Sequence, residues 1–229
     1  VAGVSLQLLL QAYLLGWAVA APIGPVNIEI IRRSLRHGLL AGFLVGVGAT
    51  LIDMSYMLLT SFGLARFFET RGVLLVCFVA GGGLMAFLAT MALRDAVRCW
   101  RGAMPAVDAP EEGGPARPDG RILRRSLLVG LLMTAANPMT IGFWATLPSL
   151  FFHGRIPGAG AILAATAFVW LGTISWVGSL MGILVVARRL VGPRLFAVAS
   201  GLGGLAMGWF ALRFWWLAWH LERVAGGGG

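Results

Sequence analysis

Ala20-Ala21-Pro22-Ile23-Gly24-Pro25 interrupts one apolar stretch of this chain, and Ala135-Ala136-Asn137-Pro138 interrupts another. With Pro25 set on Pro138 the flanks align: Leu14-Leu15 falls on Leu127-Leu128, Ile28 on Ile141 and Asp53 on Thr166. Proline withholds an amide donor and clashes with the preceding turn, so each run frees backbone carbonyls inside an apolar helix. In a bilayer such groups are tolerated only against protein or a water-filled cavity. Paired Pro/Gly breaks in matching positions of two halves point to the central site of a transporter.

The surrounding composition is that of a membrane. The chain has 229 residues, 59% hydrophobic and only 12% charged, with a mean hydropathy of +0.86. A soluble domain carries about 25% charged residues. Six apolar stretches are each long enough to cross a hydrocarbon core, at about 5–31, 38–64, 72–94, 126–148, 158–187 and 194–217. A polar segment at 98–125, with Pro105, Pro110, Pro115 and Pro118, divides them into a three-helix unit at 1–97 and another at 126–225. The run Gly226–Gly229 reads as a tail or linker. The expected fold is therefore an all-α membrane protein of six transmembrane helices, with helices 1 and 4 broken. Three spans per half is an odd number. If the halves are homologous, the second enters the membrane inverted relative to the first.

All eighteen basic residues are arginine, and the net charge is +9. Thirteen of them fall after spans one, three and five, among them Arg32, Arg33, Arg36, Arg188, Arg189 and Arg194. The positive-inside rule makes that side cytoplasmic and puts both termini outside. Basic loops between apolar helices read as topology and lipid-headgroup contact, not as nucleic-acid binding. The first twenty residues are apolar without a basic leader, as expected of a retained helix. Trp209, Trp215, Trp216 and Trp219 crowd the end of span six, where an interfacial aromatic belt belongs. Trp170 and Trp176 lie deeper, in span five, as packing or as a cavity wall.

Two acidic residues lie well inside the spans, Glu29 and Asp53. An aspartate at a helix centre costs about 2.5–3.5 kcal/mol on the insertion scale, so its presence argues for a role. Asp53 continues a small, polar stripe of span two: Gly38, Gly42, Gly46, Thr50, Asp53, Thr60. That stripe suits close helix packing, within the chain or in a homodimer. Glu29 stands one turn past Pro25 and three and four residues before Arg32 and Arg33. It reads equally as a pathway carboxylate or as a local ion pair. Asn27, Asn137, Thr140 and Thr166 are the other polar groups near the breaks. Helix starts beyond the breaks would direct N-terminal dipoles at an anion such as a carboxylate. Together with an acidic partner for an ammonium group, they would suit an amino acid.

Nothing points to catalysis. No Ser-His-Asp set, phosphate loop or dinucleotide fingerprint occurs. His37, His153 and His220 have no Cys or carboxylate at ligand spacing, and Cys77 and Cys99 form no metal or disulfide pattern. No enzyme, cofactor or metal is expected.

The run Ala21-Pro22-Ile23-Gly24-Pro25-Val26, then Ile30-Ile31-Arg32-Arg33-Ser34-Leu35-Arg36-His37-Gly38, Ala41-Gly42, Gly46, Gly48 and Asp53, resembles the start of LysE-type translocators. Leu132-Met133-Thr134-Ala135-Ala136-Asn137-Pro138-Met139-Thr140-Ile141 resembles their fourth helix. The resemblance implies a six-helix bacterial inner-membrane exporter of amino acids or related small cations, driven by the proton gradient. Pro22, Gly24, Pro25, Asp53, Asn137 and Pro138 match the family's pattern. Two positions depart from it: Ile52 stands where many members have glycine, and the break reads Pro-Ile-Gly-Pro where many read Pro-Gly-Pro. The competing readings are a divalent-cation exporter with oxygen ligands and a non-transporting membrane scaffold.

Overall fold

The computed structural model describes residues 5–22, 24–64, 70–102, 119–152, 158–187 and 193–226. These form eight helices: α1 (Leu6–Ala20), α2 (Pro25–His37), α3 (Leu39–Leu59), α4 (Arg71–Trp100), α5 (Gly120–Ala135), α6 (Pro138–Phe151), α7 (Ala159–Ala187) and α8 (Pro193–Gly226). A π-turn, Thr60–Leu64, extends α3. Four helices are long and apolar enough to cross a membrane: Leu39–Leu64, Arg71–Trp100, Ala159–Val186 and Ala197–Leu221. Two pairs pass the same test only together. They are α1 with α2, bent by 74°, and α5 with α6, bent by 63°. Counting each bent pair as one span gives six.

The helices overrun the apolar stretches. α4 continues to Trp100 and α5 begins at Gly120, so both enter the segment 98–125 that composition assigns to a linker. Hydropathy stops at the first charges, Arg94 and Asp95. The backbone ladder does not, because a helix needs only its own hydrogen bonds. Asp119 caps the start of α5 by accepting from the Arg121 amide at 3.1 Å. The prolines of the linker, and Arg188 and Arg189, lie outside the described residues.

Helix α3 packs on α2, α5 and α7, and α7 also packs on α1, while α4 and α8 form the most extensive pair. Two crossings depend on glycine. A Cβ on Gly130 of α5 would collide with the Val45 carbonyl of α3, and one on Gly48 of α3 with the Leu127 carbonyl of α5. The same holds for Gly16 of α1 against Val169 and for Gly172 of α7 against Tyr13. Backbone approaches backbone at both places, so no side chain can swing aside. Gly130→Leu should therefore lower the thermal midpoint in detergent, by the equivalent of about 1–3 kcal/mol or more for an overpacked site. A midpoint equal to that of the parent would show that α3 and α5 are free to separate. The Gly stripe of α3 also packs inward, with Gly42 under Ser34 and Gly46 against Val177.

The outer surface is apolar. Leu6, Leu10 and Leu14 on α1, Val76 and Phe87 on α4, Leu163 and Ile183 on α7, and Leu202, Leu205 and Leu212 on α8 are exposed. Trp209, Trp215, Trp216 and Trp219 are exposed in the second half of α8. In water such faces would aggregate; against acyl chains they are the expected covering of a bundle.

Candidate functional site at the second helix break

The break between α5 and α6 follows from its residues. Pro138 opens α6 without an amide to donate, and the Asn137 side chain takes the Met139 amide at 3.0 Å. The Ala135 carbonyl, one turn before Met139, therefore needs a donor from elsewhere. The Tyr56 hydroxyl of α3 supplies it at 2.7 Å. Three residues before Tyr56, on the same helix, Asp53 accepts from the Trp144 indole N–H of α6 at 2.8 Å. Trp144 is fully buried among Ala12, Met57, Ala165 and Val169. Helix α3 is thus bonded to both arms of the break. On a further side Gly81 of α4 lies so close to the Ala136 carbonyl that no Cβ would fit.

An aspartate in a membrane interior is costly unless it is paired or hydrated. Among the described residues a single indole N–H engages Oδ1, and Oδ2 keeps its acceptor capacity. Such a carboxylate can receive a proton or a cationic group. Tyr56→Phe should strand the Ala135 carbonyl and destabilise the bundle by about 1–3 kcal/mol, the usual penalty for an unmade buried hydrogen bond. Unaltered thermal unfolding of that variant would mean that another group or water replaces the hydroxyl.

The first break is satisfied differently. Asn27 donates its amide to the Ala20 carbonyl at 2.8 Å and to the Pro22 carbonyl at 2.9 Å. Its oxygen faces the Trp176 indole at 3.5 Å, and Trp176 stands edge-on to Trp17. Trp17 in turn donates to Ser175 at 2.7 Å, which also meets the Tyr13 hydroxyl at 2.9 Å. Gly24 precedes α2 in extended backbone, Pro25 starts it, and Pro22 is exposed. Asn27 thus closes the break from within its own half.

Glu29 and Asp53 belong to separate clusters. Glu29 is wholly buried and bonds Arg32 through both its oxygens, each at 2.8 Å. It also bonds Arg33 at 2.6 Å. Arg32 reaches Asp95 of α4 at 2.8 Å, Arg36 joins the same carboxylate, and Arg33 reaches Ser126 of α5 at 3.0 Å. The bonds tie α2 to α4 and α5. Two carboxylates face three guanidiniums, all of them buried except Arg36, which is partly exposed. Of the remaining candidates, Thr166 is buried and donates to the Ile162 carbonyl at 2.8 Å, while Thr140 is half-buried in the first turn of α6.

Tyr56, Trp144, Asp95 and Ser126 escaped the sequence reading. Tyr56 carried a usable signal, since it is one of two tyrosines and lies one turn from Asp53. Asp95 was hidden because the apolar stretch ends just before it. Trp144 and Ser126 gave no signal, as only the packing brings them to their partners.

An all-helical bundle with apolar outer faces, helices interrupted at Pro/Gly and Asn-Pro, and an interior aspartate beside one interruption define a membrane transport protein. Residues 17–217 match the LysE type translocator family, and the chain belongs to that family. Its members are translocators, not enzymes. The chain is similar to the "Putative amino acid efflux protein YcgF" of Bacillus subtilis (strain 168), 23% identical over 91% of this chain and 95% of that protein. It is also similar to the "Chemotactic transduction protein ChpE" of Pseudomonas aeruginosa, 30% identical over 63% of this chain and 64% of that protein. A third relative is the "Uncharacterized membrane protein YahN" of Escherichia coli (strain K12), 30% identical over 80% of this chain and 78% of that protein. No solved structure matches the chain.

Proposed function

We propose that this translocator exports a small amino acid, or a close analogue, across a bacterial inner membrane by proton antiport. The observation that carries the reading is Asp53, held by Trp144 beside the α5–α6 break. A carboxylate that alternates between a proton and the ammonium group of a substrate couples the two fluxes at one atom, because it cannot hold both. The name of the Bacillus relative, "Putative amino acid efflux protein YcgF", agrees with this substrate class.

Two features support an inverted repeat. Each arm that precedes a break crosses a long helix of the other half through paired glycines: α1 on α7, and α5 on α3. Exchanging the halves exchanges these two crossings, as a pseudo-twofold axis requires. The cluster of Arg32, Arg33 and Arg36 with Asp95 and Ser126 joins α2 to the end of α4 and the start of α5, which also carry Arg94, Arg98, Arg121, Arg124 and Arg125, and the positive-inside rule makes that end cytoplasmic.

Purified protein in liposomes with an imposed pH gradient tests the proposal, with labelled amino acids screened one by one. Uphill movement of one of them, abolished by a protonophore, is the expected result. A broad screen with no gradient-dependent flux would overturn it.

A further inference from the structure

Resting on the amino-acid reading, we infer that Thr134 is a substrate-contacting residue which, with Asp53, receives the ammonium group of the amino acid at the second break. The inference starts from an orphan. Thr134 is 3% exposed, and among the described residues its hydroxyl has no hydrogen-bond partner. Most helical threonines in this protein bond a carbonyl of the preceding turn, among them Thr50 to Val47, Thr60 to Tyr56, Thr90 to Ala86, Thr166 to Ile162 and Thr173 to Trp170. Thr134 has the same option one turn back and does not take it. Leaving a buried hydroxyl unmet costs about 1–3 kcal/mol, so such a group calls for an explanation.

Its position supplies one. Gly130 of α5 rests on the Val45 carbonyl of α3, and Thr134 is four residues further along α5, on the same face. One residue beyond it, the Ala135 carbonyl meets Tyr56 of α3. Advancing from Gly130 to Ala135 on α5 therefore follows Val45 to Tyr56 on α3. Thr134 falls between these two contacts, at the level of the turn that carries Asp53. A hydroxyl oxygen and the Oδ2 of Asp53 are both acceptors for a protonated amine, which brings three donors. Trp144, which holds Asp53, belongs to an apolar cluster, so desolvation strengthens an ammonium–carboxylate contact there.

Thr134→Val tests this, because it keeps the side chain's shape and removes only the oxygen. In proteoliposomes T134V should raise KM for the transported amino acid about tenfold, as loss of a hydrogen bond to a charged group predicts. The maximal rate should change far less, and Thr134→Ser should restore KM. The desamino analogue of that substrate, a carboxylic acid lacking the amine, should inhibit parent and T134V equally. The thermal midpoint of T134V should match or exceed the parent's, since no protein bond is lost. An unchanged KM, an equal loss for the desamino analogue, or a lowered midpoint in T134V would each overturn the assignment and leave amino-acid export standing. Absence of any amino-acid flux in the parent protein would overturn export, and the ammonium site with it.

Discussion

Glu29→Leu is expected to be the most destabilising single change in the chain, lowering stability by about 3–5 kcal/mol. The carboxylate answers two buried guanidiniums, through three hydrogen bonds of 2.6–2.8 Å. Among the described residues, removing it leaves Arg33 with only the Ser126 hydroxyl and Arg32 with only a share of Asp95, which Arg36 also claims. Neither arginine can lose its proton to escape, because a guanidinium stays charged in proteins. Nor can Arg32, 4% exposed, reach solvent without α2 pulling away from α4. Glu29→Gln, which keeps the shape and two polar ends, should cost clearly less. The check is the thermal midpoint of monodisperse protein in detergent, with Ser126→Ala as a mild control. A leucine variant as stable as the parent would mean that water reaches the cluster and that α2 is not anchored there.

Asp53→Asn should abolish gradient-driven transport while leaving the fold intact. The amide oxygen of asparagine can accept the Trp144 indole N–H as the carboxylate does, so the α3–α6 link survives. What is lost is the charge, and with it the exchange of a proton for a cationic group that the proposed mechanism requires. Flux against a pH gradient should fall to the level of protein-free vesicles, with a thermal midpoint near the parent's. Asp53→Leu removes the hydrogen bond as well. It should also destabilise, since the wholly buried indole N–H is then left unmet. Full uphill transport by the asparagine variant would remove Asp53 from the mechanism and direct attention to the first break. Retained downhill exchange with lost uphill transport would place the residue in coupling alone.

Much of this protein was legible in one dimension because a bilayer imposes strong rules. Apolar length located the membrane helices, and Pro22–Pro25 and Asn137–Pro138 marked where the ladder stops, since proline cannot donate wherever it is placed. Asp53 stood out because a lone carboxylate is costly in an apolar helix. Glu29 was equally visible but ambiguous. Its two accounts differ only in whether partners lie within reach, and Arg32 and Arg33 were in reach by spacing while Asp95 and Ser126 were not. The stripe Gly42–Gly46 told of close packing without telling against what; Ser34 and Val177 are the answer.

The sequence by itself therefore determined the class of protein, the family, the places where helices must break and the presence of one costly interior charge. These depend on local chemistry: which residues can donate, which are apolar, which carry charge. The tertiary structure alone decided who satisfies whom. Asn27 closes its own break, whereas the second break borrows Tyr56 from α3. Trp144, ninety-one residues away along the chain, holds Asp53, and Asp95 completes a cluster begun on α2. The Tyr56–Ala135 bond lies between the helices that cross through Gly48 and Gly130, and the Trp17–Ser175 bond between those that cross through Gly16 and Gly172, because closely approaching backbones bring such side chains within hydrogen-bond range.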